Sequence, residues 1–249
     1  KNFARVLSLN GNIGRQFWHV AAWTIVWAIF ATFLNYFLGM ILALIINRKG
    51  THFKAFWRFC FVISIAVPQF VSLLIMRTLL QPQGAVNAIL KTSGLINSPL
   101  PFMTDAMWAR VTIIIINLWI GIPYTMLQVT GILQNIPSDL YEAAKIDGAT
   151  GIKREWYVTI PLVKPTIKTV TTMAATSGFL LYNEVFFLTN GAAGTKSISY
   201  IIRELAITSA RTQYARANTI GAIQILIGLV LVGLINIAFK DRDKVGGKA

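Results

Sequence analysis

Long uncharged, apolar runs dominate the chain. Phe17–Asn47, Phe59–Met76, Val111–Ser138 and Ala217–Phe239 contain no Asp, Glu, Lys or Arg. A hydrocarbon core about 30 Å thick needs about 20 helical residues, so these runs meet or approach spanning length. A fifth run, Thr169–Asn190, is interrupted only by Glu184 and is strongly apolar on both sides, at Met173–Leu181 and Val185–Leu188. The pattern predicts five membrane-spanning helices, at about 17–46, 55–80, 107–133, 164–190 and 215–239. Between them, 81–105 carries Pro82, Gly84, Gly94, Pro99 and Pro101 around a short helical pattern at Val86–Lys91. The 191–214 connection opens on the turn-forming Gly191-Ala-Ala-Gly194. Neither is a separate domain, and residues 1–249 read as a single all-α transmembrane domain.

Charge adds orientation. Of 249 residues, 55% are hydrophobic and 13% charged, with Lys+Arg 23 against Asp+Glu 9 and a formal net charge of +14. The mean hydropathy is +0.61. Soluble domains carry about 25% charged residues, and disordered basic tails are polar throughout, so both classes are excluded. The basic residues flank the spans instead of alternating with aromatics, which argues against a nucleic-acid partner. Counting them beside the spans, 13 of the 23 fall on one side: Arg48, Lys49, Lys54 and Arg58, then Lys145, Lys153, Arg154, Lys164 and Lys168, then Lys240, Arg242, Lys244 and Lys248. The positive-inside rule then places the C-terminus and the 134–163 segment in the cytoplasm of a multi-pass cell-membrane protein. Five spans with that orientation put Lys1 outside, and a further span upstream of it is expected. Arg77, at the outer end of the second span, snorkels to the interface.

The 134–163 segment carries the most specific signal. It reads Ile136-Pro-Ser-Asp-Leu-Tyr-Glu-Ala-Ala-Lys-Ile-Asp-Gly-Ala-Thr-Gly, continuing to Pro165. Ser138 is a candidate N-cap, and Asp139 and Glu142 lie near a helix start, where the macrodipole favours anions. Leu140, Ala143, Ala144 and Asp147 recur at helical spacing, and Gly148 is placed to end the helix in a left-handed C-cap. The expectation is a short exposed helix at 139–147 and a second at about 152–160 that Pro161 stops. A helix this short is marginal alone in water, so a partner must dock on it.

Glu142-Ala-Ala-x-x-Asp147-Gly148-Ala, with Ile160-Pro-Leu and Pro165, resembles the "EAA" loop of permease subunits in binding-protein-dependent ABC importers. Trp119-Ile-Gly-Ile-Pro-Tyr124, Leu188-Thr-Asn-Gly191 and Tyr214-Ala-Arg-Ala217 resemble the maltose-type carbohydrate-uptake branch, and the likeness extends over about 17–240. It implies a type I ABC importer permease fold. It also implies a coupling helix, at Glu142, Ala143, Ala144, Asp147 and Gly148, that inserts into a cytoplasmic ATPase subunit. The implied partners are a second permease of a different chain, two ATPase subunits, an extracytoplasmic solute-binding protein and membrane lipid. No cofactor belongs to this chain, because ATP and Mg would sit on the ATPase subunits.

The solute path has its own candidates. Gly121-Ile-Pro123 should interrupt the third span and kink it, and irregular backbone at membrane depth is tolerated only against protein or a water-filled cavity. By resemblance, Gly121 and Tyr124 match positions that line the sugar site, where Tyr124 would stack on a pyranose ring; packing alone is the alternative for Gly121 and Pro123. Glu184, preceded by Asn183, is the one acid inside an expected span, and such groups mark pathways unless the span merely tilts them to the interface. The family's asparagines in the fourth span are mostly replaced by Gly178, Leu180 and Leu181, so maltose is not carried over as the solute.

Competing chemistry finds little support. Gly191–Ser197 lacks phosphate-loop spacing. His19 and His52 are isolated and Cys60 is the one cysteine, so no metal cluster or intrachain disulfide is expected. Ala217-x-x-x-Gly221 suits helix packing. A membrane-embedded protease or lipid transferase needs a Ser/His pair, paired Asp or a His-rich set at membrane depth, and none is visible. No catalytic residue is therefore assigned. Import of a non-sugar solute is the other alternative.

Overall fold

In the computed structural model, residues 2–48, 50–208 and 213–239 are described, and the regular elements among them are all helical. Of the basic residues counted above for orientation, Lys49 and those of the 240–249 tail lie outside them, as do Lys1 and Arg211.

A short helix α1 (Asn2–Leu7) precedes the long helix α2 (Asn12–Asn47), which is continuous but widens into a π-turn at Phe30–Leu34. The second expected span is two helices, α3 (Lys54–Ala66) and α4 (Gln69–Leu79), bent by 88°. Pro68 causes the bend. It has no N–H to continue the helix, and its ring drives Val67 into an extended conformation (φ −75°, ψ 126°). Helix α5 (Ala85–Thr92) lies in the following connection.

Helix α6 (Ala106–Gln134) begins at Asp105, whose side chain accepts from the backbone N–H of Met107 (2.9 Å) and Trp108 (3.1 Å). It runs through Gly121 and the buried Pro123 without a break, so the interruption expected there is absent. Neighbours compensate instead. α6 packs along the second half of α2, where Ala43 and Ile46 meet Met126 and Val129. Beside them Gly39 is required, because a Cβ there would lie 2.7 Å from Thr125. At this end Asn47 donates to Thr130 Oγ1 (3.1 Å) and accepts from Arg58, joining α2, α3 and α6.

Helix α7 (Ser138–Ile146) is followed by α8, which runs from 152 to 179 and contains a π-turn at Glu155–Thr159. Pro161 therefore does not stop a helix at 160. The wide turn immediately before it absorbs the missing donor and the ring's clash with the preceding turn. The fourth expected span instead breaks at Leu180–Tyr182, and helical structure resumes through the π-turn α9 (Val185–Thr189). The carbonyls freed by the break have partners: Gln224 donates to Phe179 O (3.1 Å) and Ser197 Oγ donates to Leu181 O. Such satisfaction is what makes irregular backbone tolerable away from water.

Helix α10 (Ile198–Arg203), continued by a π-turn to Thr208, leads to α11 (Tyr214–Ala238). Helices α1 and α10 and the N-terminal parts of α2 and α11 bury Val6, Phe17, Val20, Ile198, Ile201, Ile220 and Ile223 together. By contrast α3 buries no residue, and the second half of α11 exposes Leu229, Leu234 and Ile237. Apolar surface on that scale belongs against lipid or protein. Among the described residues, α2, α6 and α11 are long and apolar enough to cross a membrane, and α3–α4 makes a fourth if the bent pair is one span.

Candidate functional site

Two regions gather the residues singled out from sequence. The first is a cavity of about 530 Å³ enclosed by α2, α4, α6, α8 and the break after it. Gly121, Tyr124, Asn183 and Glu184 all line it. Their convergence depends on three local features: the Pro68 bend brings Gln69 inward, α6 presents Asn117, Gly121 and Tyr124 from one face, and the 180–182 break turns Asn183 and Glu184 toward them.

A directed chain of amides crosses this region. Asn35 Nδ2 donates to Ala31 O (2.7 Å) and to Asn117 Oδ1 (2.8 Å). Asn117 Nδ2 donates to Glu184 Oε1 (3.2 Å). From the other side Asn183 Nδ2 approaches Gln69 Oε1 (3.4 Å), and Gln69 Nε2 donates to Glu184 Oε1 (3.0 Å). Both arms end on one carboxyl oxygen of a residue that is 8% exposed. Glu184 is thus buried beside the cavity. Gly121 has a packing role within the same lining: a Cβ on it would sit 2.7 Å from Asn35 Nδ2 and Oδ1. Tyr124 is 57% exposed, with its ring available to a solute.

Gln69, Asn35 and Asn117 were not singled out from sequence. Asn35 and Asn117 carried a legible signal, being amides inside otherwise apolar runs. Next to the cavity, Trp27 Nε1, Thr32 Oγ1, Asn35 Oδ1 and Tyr36 OH are buried with no hydrogen-bond partner among the described residues. Three of these residues lie in or beside the π-turn of α2, a concentration of unmet polar groups that is costly in a fixed structure.

The second region is α7. Its C-terminus is a Schellman motif: Gly148 adopts φ 76°, its N–H bonds Lys145 O (3.2 Å), and Ala149 N–H bonds Ala144 O (2.8 Å). Ser138 does not cap the helix. It is the first helical residue, after Pro137, and its hydroxyl donates to Asp139 Oδ1 (3.3 Å) instead of accepting from the backbone. Glu142, Ala143, Asp147 and Gly148 are exposed, whereas Ala144 is buried against the chain's own fold. Ala143, Ala144 and Asp147 line a groove between α7 and α8, walled opposite by Tyr157 and Leu162. Tyr141 anchors α7 to α8, with its hydroxyl 3.4 Å from Thr159 Oγ1 and the Arg154 guanidinium 5.3 Å over its ring. Around the groove Ile146, Ile152, Trp156 and Tyr157 are all more than half exposed. Glu142 makes no hydrogen bond or ion pair among the described residues. No group of three or more His, Cys, Asp or Glu is placed to hold a metal ion among them either.

Apolar helices surround a solute-sized cavity lined in part by polar side chains, and a short helix is displayed beyond them. The overall fold has a counterpart: a solved bacterial ABC transporter "involved in the import of the acidic polysaccharide alginate" contains a chain that superposes with a TM-score of 0.85 at 21% identity, covering 98% of this chain and 84% of that one. Residues 35–241 match the model of the binding-protein-dependent transport system inner membrane component family, and the chain belongs to that family. It is 39% identical over 214 residues to the galactooligosaccharides transport system permease protein GanP of Bacillus subtilis, covering 82% of this chain and 51% of that protein. It is 34% identical over 266 residues to the maltodextrin transport system permease protein MdxF of the same organism, covering 100% of this chain and 59% of that protein. The chain therefore spans between half and two-thirds of the length of these relatives.

Proposed function

We propose that the chain forms part of the path for ATP-driven import of a sugar or oligosaccharide across the cell membrane, and that α7 couples the path to ATP hydrolysis on separate subunits. The observation that carries this reading is the pairing of a cavity at the helix breaks with a short, exposed helix that ends in a Schellman motif and carries Glu142, unpaired among the described residues. Names of relatives that handle galactooligosaccharides and maltodextrin favour a saccharide as solute. In this reading Gly121, Tyr124, Asn183 and Glu184 belong to the solute path. Tyr124 offers a ring face and a hydroxyl, and the amides around Glu184 offer hydrogen bonds to solute hydroxyls.

Glu142, Ala143, Asp147 and Gly148 then form the contact with an ATPase subunit, while Ala144 lets α7 lie close on α8. The exposed apolar side chains beside the groove are the surface that such a partner would cover. The remaining partners are a second permease, expected to be a different chain, two ATPase subunits that hold ATP and Mg, an extracytoplasmic solute-binding protein, and lipid against α3 and α11. The orientation in this reading is multi-pass with the C-terminus cytoplasmic.

The test is Glu142→Ala and, separately, Gly148→Asp in the assembled importer. Solute uptake and solute-stimulated ATPase activity should both fall while membrane insertion is unchanged. A Cβ added at 148 meets no neighbouring atom within 4 Å, so the effect of aspartate there is on the left-handed backbone, at a cost of about 1–2 kcal/mol, and on added charge at the contact. Wild-type uptake and stimulation in both variants would remove α7 from the coupling role.

A further inference from the structure

Among the described residues, the cavity lining includes one acid, Glu184, and no lysine, arginine or histidine. On the Asn35 side the hydrogen bonds around Glu184 have a fixed direction. Asn35 must present its N–H₂ to Ala31 O, a backbone carbonyl that can only accept, and its donation to Asn117 Oδ1 leaves Asn117 to present N–H to the carboxyl group. From the other side Gln69 Nε2 lies 3.0 Å from the same carboxyl oxygen. Both neighbours are neutral amides, and neither carries a charge that would cancel an ionised Glu184. With Glu184 ionised, a solute entering the cavity meets negative potential with no basic side chain from this chain to offset it.

We propose that Glu184 acts as a charge filter: the cavity admits neutral, hydroxyl-rich saccharides and rejects those that carry carboxylate or phosphate groups. This rests on the saccharide-import reading above and narrows its substrate class. Two like charges about 7 Å apart, at an effective dielectric of about 20, disfavour the anionic ligand by a factor of ten or more. Hydroxyl groups, by contrast, donate to the carboxylate and gain from it.

The test uses the purified permease–ATPase complex without its solute-binding protein, so that selection by that protein does not enter. The probes are maltotriose, trigalacturonate and the uncharged trimethyl ester of trigalacturonate, with binding measured by saturation-transfer NMR. Maltotriose and the ester should bind wild type, and the acid should bind at least about tenfold more weakly than its ester. In Glu184→Gln, which keeps an oxygen for Gln69 and Asn117, the acid and ester should come within about threefold of each other, as the Coulomb penalty is gone. Equal binding of acid and ester by wild type overturns the filter, and this comparison stands even if the variant does not assemble. Unchanged discrimination in Glu184→Gln also overturns it, because the charge responsible would lie elsewhere. Failure of maltotriose and the ester to bind at all would sink the saccharide reading itself.

Discussion

Gly121→Ala isolates the packing that holds the cavity's amide chain in place. The new Cβ would lie 2.7 Å from Asn35 Nδ2 and Oδ1 and 2.8 Å from its Cγ, closer than real carbon contacts allow. Asn35 must move, yet its side chain is tied to Ala31 O at 2.7 Å and to Asn117 Oδ1 at 2.8 Å. Overpacking costs about 1–3 kcal/mol, and each hydrogen bond lost adds about 0.5–1.5 kcal/mol. Against this, Ala is favoured over Gly inside a helix by about 1 kcal/mol. The net expectation is a loss of about 1–3 kcal/mol, the low end applying if the Asn35 amide rotates aside. Thermal unfolding of the purified chain in detergent measures it. For a chain this long each kcal/mol shifts the midpoint by about 2–4 °C. The diagnostic step is a double-mutant cycle with Asn35→Ala, which removes the clashing group. In that background Gly121→Ala should cost little, giving a coupling energy above about 0.5 kcal/mol. A raised midpoint in the single variant, or strict additivity in the double, would refute the role of Gly121 as the seat for Asn35.

Two further outcomes follow from the helix breaks and caps. Pro68→Ala restores a backbone donor and releases Val67, so the 54–79 segment should straighten; spin labels at Phe56 and Thr78 should then move apart by about 10 Å at 1.5 Å per helical residue, and an unchanged distance would show that packing, not proline, holds the 88° bend. Asp105→Ala should cost about 1 kcal/mol and speed amide exchange at Met107 and Trp108, the two N–H groups the side chain now receives, with Asp105→Asn largely restoring protection.

Sequence periodicity located the long helices well because length and apolarity alone identify them. Residues 17–46 and 107–133 fall within α2 and α6, and 215–239 matches α11 except for its last residue. It did not place the breaks correctly. At Pro68 the chemistry was visible, since proline also constrains the residue before it, but the apolar run on either side masked it. Pro123 carried the same chemistry and bent nothing out of helical assignment, so proline alone does not decide. The break at 180–182 has no local signal: its carbonyls are satisfied by Ser197 and Gln224, residues that only the fold brings near. The cavity was half legible. Tyr124 and Glu184 stood out as polar groups within apolar runs, yet the side chains that donate to Glu184, Gln69 and Asn117, come from two separate helices. For α7, the glycine end was readable from Gly148 and the start was not, because Pro137 displaces Ser138 into the first turn.

The same break has a mechanical meaning. From 152 to 179, α8 is one rod, about 40 Å long at 1.5 Å per residue. One end bears α7 through Tyr141 and Thr159, and the other stops at the cavity wall. Ser197 and Gln224 hold the carbonyls at its tip, so the rod ends at a break whose backbone polar groups are covered. If α7 is the coupling helix, a push on it would be carried along this rod to residues 180–182, beside the cavity wall at Leu180.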